Sequence, residues 1–156
     1  NVIYTFHFYQ PFFFTHQGAT WSEYYWHFLK GVPWPARRDE ARAAAAAVPD
    51  PLHRLAVERY GESHWDRGRV DFEIGQIRAW ADRHRVPVIC NEFGVYRLNA
   101  APAERVAWLR DVRSALEQRN LGWTVWDFDG TFGIATREAG ALVLDRPAVE
   151  ALGVGK

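Results

Sequence analysis

Apolar residues fall along the chain into three short runs, separated by longer stretches in which they recur at helical spacing. The first run, VIYTFHFY at residues 2–9, is β-branched and aromatic and is soon followed by Pro11, which has no N–H to give a ladder, so it predicts a strand. A long connection over residues 10–50 carries Pro11, Gly18, Gly31, Pro33, Pro35 and Pro49, and its alanine-rich stretch 36–48 favours helix on propensity. A short helix is predicted over 51–60. A longer one follows over 67–83, where Val70, Ile74, Ile77 and Ala81 share one face. Residues 86–91, VPVICN, are too short an apolar run for a helix and read as a second strand. Residues 102–120 then read as helix, with Pro102 suited to its first turn and Val106, Leu109, Val112 and Leu116 on its apolar face. GWTVW at 122–126 completes the pattern as a third strand.

Strand, helices, strand, helix, strand is how parallel βαβ units appear in sequence, so the fold class is α/β: parallel strands joined by crossover helices, in one domain spanning residues 1–156. Strict alternation sorts the strand side chains into faces. Ile3, Thr5, His7 and Tyr9 share one face of the first strand. Val88, Cys90 and Glu92 are expected together on the second, and Gly122, Thr124 and Trp126 on the third. In a closed parallel barrel the strand ends ring the C-terminal mouth, where active sites are built, which would bring His7, Tyr9, Glu92 and Trp126 together. A carboxylate closing an apolar strand is costly to bury unless it is paired, hydrogen-bonded or placed in a cleft.

Composition narrows the partners. Nineteen basic residues balance nineteen acidic ones, which gives no reason to expect nucleic acid or an anionic membrane surface and favours a neutral ligand. The single cysteine, Cys90, excludes an internal disulfide framework and, lying inside an apolar strand, reads as an inert core residue. No apolar run is long enough to span a bilayer, and no basic-then-apolar leader precedes the first strand. With no methionine and a start directly in a strand, the chain is expected to be part of a longer protein. Eight tryptophans, many in loop-like segments, suggest stacking against something flat. Glu62-Ser63-His64 lacks the spacing of a zinc-protease helix, there is no GxSxG elbow, and Asp127-Phe128-Asp129-Gly130 has the character of a turn.

Taken in order, HFY at 7–9, PFFFTHQGATW at 11–21, VPVICNEFG at 86–94 and GWTVWDFDGTFG at 122–133 resemble the cellulases of glycoside hydrolase family 5. The resemblance covers essentially the whole chain and implies the sixth, seventh and eighth strands of a TIM (β/α)8 barrel. A complete barrel takes about 250 residues, so the resemblance implies a partial catalytic domain, its C-terminal portion. It implies Glu92 as the nucleophile of a retaining β-glycosidase, Tyr9 as hydrogen-bond donor to it, His7 beside it on the floor of the subsite, and Trp126 as the ring on which the sugar stacks. The acid/base glutamate of the family's fourth strand has no counterpart here.

The implied parent enzyme hydrolyses a β-1,4-glucan-type polysaccharide internally, with no metal or organic cofactor, and is secreted or periplasmic. Among the loop aromatics Phe13, Trp21 and Trp34, which more often brace a loop than touch sugar, Trp34 is taken as a further substrate-binding residue. A partial barrel would expose sheet edges and an apolar interior, which leads to an expectation of self-association or pairing with the N-terminal part of the barrel. The rival reading is a non-enzymatic carbohydrate-binding or structural module on the same fold, distinguished by whether Glu92 is a reactive nucleophile.

Overall fold

A computed structural model describes residues 2–21 and 24–154 of the chain. The order of elements is β1 (Tyr4–Phe8), α1 (Phe12–Thr15), a 3-10 turn (Tyr24–Phe28), α2 (Arg38–Ala45), α3 (Pro51–Tyr60), α4 (Arg67–His84), β2 (Val88–Phe93), α5 (Pro102–Glu117), β3 (Gly122–Trp123), β4 (Ala135–Glu138), β5 (Ala141–Leu144) and α6 (Arg146–Ala151). Strands β1, β2 and β3 form a parallel sheet in that order, and β4 with β5 forms a separate antiparallel hairpin.

The helices begin where the sequence supplies caps. Asp50 accepts from the His53 N–H to start α3, Asp66 accepts from Arg69 N–H to start α4, and Pro102 occupies the first turn of α5, where its missing N–H costs nothing. Helix α4 buries Val70, Ile74 and Ala81 as its spacing predicts, with Ile77 half-buried at the margin. Helix α5 buries Leu109, Val112 and Leu116, while Val106 is only partly covered and Trp108 goes to the centre instead. The Trp108 ring stacks on Phe8 with centroids 6.3 Å apart, and its indole N–H donates to the Gln10 carbonyl at 3.2 Å. Side chains of this size each contribute about 1.5–3 kcal/mol when fully buried, so the layer between α5 and the sheet, which also holds Phe93 and Cys90, is the main source of cohesion around the strand ends.

Strict alternation fails once, at the point that matters most. Phe6 of β1 pairs with Cys90, but the next residue, His7, pairs with Glu92, so Asn91 is an extra residue in β2. The same slip is seen from the other side: Thr124 N–H donates to Cys90 O and Trp126 N–H to Phe93 O, an advance of two residues against three. This bulge corrects the expectation that Val88, Cys90 and Glu92 share a face. Val88 and Cys90 turn into the helix layer with Phe6, whereas Glu92 is re-aimed to the face of His7. It also cuts the regular part of the third strand to Gly122–Trp123, although the hydrogen bonding continues to Trp126.

Candidate active site

Three strand ends and two loops converge on a cavity of about 500 Å³ lined by Tyr9, His16, Trp21, Glu92, Trp126 and Asp127, with the loop 130–132 along its rim. Glu92 is at its centre. The Tyr9 hydroxyl donates to Glu92 Oε2 at 2.9 Å, and His7 Nδ1 stands 3.4 Å from the same oxygen. Burial, and next the hydrogen bond to Glu92, push the Tyr9 phenol well above the usual tyrosine range, so it stays a proton donor at any physiological pH. Trp126 is 47% exposed and closes one side.

Tyr9 is fixed by the turn that follows it. Thr15 on α1 donates its hydroxyl to the Tyr9 carbonyl at 2.6 Å and lies 2.9 Å from His16 Nδ1. A hydroxyl has one proton, so His16 Nδ1 must be the donor in the second contact and Nε2 the acceptor nitrogen. Burial lowers the His16 pKa to about 4, which keeps the ring neutral. Gln17, fully buried, pins the same loop by donating to Phe14 O and Val32 O and accepting from Val32 N–H. Cys90, behind the site, has its thiol pushed up to about 12 by burial and is inert.

The loop after β3 sits where it does because Gly94 admits it: a Cβ at position 94 would collide with the Trp126 carbonyl. Arg105, 3% exposed, holds the far end by donating to the carbonyls of Phe132 and Gly133 while pairing with Asp145 at 2.7 Å. Asp127 Oδ1 accepts from Gly130 N–H, which makes the DFDG segment a turn.

His7, Tyr9, Glu92 and Trp126 are therefore brought together, and Trp34 is not. Trp34 is 2% exposed, packs on Phe14, and spends its indole N–H on Asp111 at 3.1 Å, so no ring face remains for a ligand. Its loop is drawn against α5, where Glu104 accepts from the Trp34 backbone N–H. Trp21, not counted among the binding residues in the sequence reading, is the loop tryptophan at the cavity: 56% exposed, it lines the cavity and meets Tyr96 edge-on. Sequence reasoning passed over His16, whose only signal was a polar Thr-His-Gln triplet inside an aromatic run, the usual mark of a loop that satisfies its own polar groups.

The chain matches the cellulase (glycosyl hydrolase family 5) family over residues 1–131. It is 31% identical over 163 aligned residues to Endoglucanase 3 of Fibrobacter succinogenes, covering 99% of this chain and 23% of that protein. It is 28% identical over 127 residues to Endoglucanase C of Acetivibrio thermocellus, covering 81% of this chain and 36% of the relative. Among solved structures, a hyperthermophilic endo-β-1,4-glucanase in complex with substrate superimposes with a TM-score of 0.70 at 27% identity, over 98% of this chain and 40% of that one. Thermotoga maritima Cel5A in complex with mannotriose gives 0.66 at 26% identity, over 96% and 39%. The chain thus spans well under half the length of these relatives. With the match running through all three strand ends, the chain belongs to the cellulase family, glycosyl hydrolase family 5, and its parallel strands and crossover helices are part of a TIM (β/α)8 barrel.

Proposed function

We propose that these residues form the nucleophile half of a retaining endo-β-glycanase active site acting on β-1,4-glucan-type chains, with Glu92 as nucleophile. The observation that carries this reading is the pair of contacts on one carboxylate oxygen: Tyr9 and His7 both address Glu92 Oε2. Oε1 is left for the anomeric carbon. Retaining glycosidases place a second carboxyl about 5–5.5 Å from the nucleophile to protonate the leaving oxygen. Asp127 is committed to its own turn, so the acid/base is assigned to a residue outside this chain, and the isolated chain should hydrolyse unactivated glycans poorly. Trp126 offers its exposed ring to the sugar, with Trp21 across the cavity. A polymeric glucan does not enter the cell, so this reading implies an extracellular or periplasmic setting for the whole enzyme.

The test is active-site labelling with 2,4-dinitrophenyl 2-deoxy-2-fluoro-β-cellobioside, whose leaving group departs without general acid. Peptide mass spectrometry should find the fluoroglycosyl ester on Glu92 and find none in Glu92→Gln. A folded sample that binds cellobiose yet takes no label would instead support a carbohydrate-binding module.

A further inference from the structure

On the wall of the catalytic cavity beside Tyr9, one polar atom is left over once the hydrogen bonds are assigned. His16 is 9% exposed and enclosed by aromatic rings: its centroid lies 5.2 Å from Tyr9, 5.0 Å from Phe12, 5.0 Å from Trp26 and 5.4 Å from Phe132. Its Nδ1 proton goes to Thr15 Oγ1, whose own proton goes to the Tyr9 carbonyl, so Nε2 carries a lone pair and no hydrogen. That lone pair has no hydrogen-bond partner among the described residues, yet it is not sealed from solvent as the Trp26 indole N–H is. The ring lines the catalytic cavity. Burial holds its pKa at about 4, so Nε2 remains an acceptor at neutral pH.

An unmet acceptor in an apolar wall is costly unless something that enters the cavity satisfies it. A neutral glycan brings donors of the right kind, because its ring faces stack on indoles while its edges carry hydroxyls. We infer that His16 is a substrate-binding residue whose Nε2 accepts a hydrogen bond from a hydroxyl of the glycan in the cavity. The inference rests on the glycanase reading and deepens it. With its tautomer fixed by Thr15, Nε2 accepts but cannot donate, so it tells a free hydroxyl from an ether or a substituted position, either of which would leave the nitrogen unpaired. Thr15 thereby serves both sides of the site, anchoring Tyr9 against the nucleophile and orienting the acceptor that reads the sugar.

Cellotriose titrated into the 156-residue chain, with its histidines isotope-labelled and followed by nitrogen NMR, should move the His16 Nε2 resonance upfield, the direction of an accepted hydrogen bond, and leave Nδ1 protonated. Calorimetry should show His16→Phe, which keeps a flat ring but has no acceptor, binding cellotriose about tenfold more weakly, the scale of one hydrogen bond. His16→Gln, whose amide oxygen can stand near the position of Nε2, should recover most of that loss. A ring that served packing alone would give the reverse order, since phenylalanine suits an aromatic wall and glutamine does not. An Nε2 resonance unmoved by bound cellotriose, undiminished binding in His16→Phe, or no cellotriose binding at all would overturn the proposal. Fluoroglycosyl labelling of Glu92 in the same unmodified chain separates the two readings: a labelled Glu92 beside an unmoved Nε2 removes His16 from the binding site and leaves the nucleophile in place.

Discussion

At the scale of residues, the cavity is organised by proton inventory. Tyr9 gives its proton to Glu92, Thr15 gives its proton to Tyr9, and His16 completes the chain through Nδ1. Each donor is used once, and burial keeps both the phenol and the imidazole in their neutral forms. The imidazole has a consequence for stability. Its folded value of about 4 lies below the ordinary 6.5, so unfolding takes up a proton between these values. The stabilisation is fully present above pH 6.5 and is lost as the pH falls toward 4. Thermal melts should show Tm falling on acidification across that window, and the slope should be shallower in His16→Gln.

At the scale of elements, the loop after β3 is fastened at both ends by things outside it. Gly94 on the β2 side allows its near end to approach, and Arg105 on α5 holds its far end through two carbonyls. Arg105 also bonds Asp145, which caps α6, so one guanidinium ties α5, the loop and the last helix together. Arg105→Met keeps the aliphatic stem but orphans buried carbonyls and the Asp145 carboxylate, and it should cost roughly 3 kcal/mol in urea unfolding. The same variant should weaken cellobiose binding, because Phe132 and Trp126 sit on the loop it releases. The β2 bulge works at this scale too: one extra residue, Asn91, turns Glu92 out of the core and toward Tyr9.

At the scale of the molecule, a three-stranded parallel sheet has two open edges, β1 and β3. Val2, Ile3 and Tyr4 are exposed beside the first, and Leu142, Val143 and Leu144 are exposed on the hairpin. Apolar surface next to unpaired strand edges favours association, with a second copy or with the N-terminal part of a barrel. Light scattering should therefore give a mass above the 18.0 kDa of one chain, and a monodisperse species of 18.0 kDa would count against it.

The main elements and their order were legible from residue spacing: periodicity and caps located α3 and α4 almost to the residue and the start of α5, which ends at Glu117 rather than 120, and three apolar runs located the sheet, its third strand regular only over Gly122–Trp123. The small C-terminal elements, β4, β5 and α6, carry too few residues for periodicity to mark them. For the site, an apolar strand closing in a glutamate and another closing in a tryptophan singled out Glu92 and Trp126, because burying such ends without a purpose is costly. Direction was another matter. Spacing could not show that Trp34 turns inward to Asp111 while Trp21 faces the cavity, since both are tryptophans in irregular loops and only packing against α5 distinguishes them. Nor could alternation show that Glu92 leaves the face of Cys90, because a bulge is set by pairing with β1 and β3 together, and those partners lie more than thirty residues away on either side.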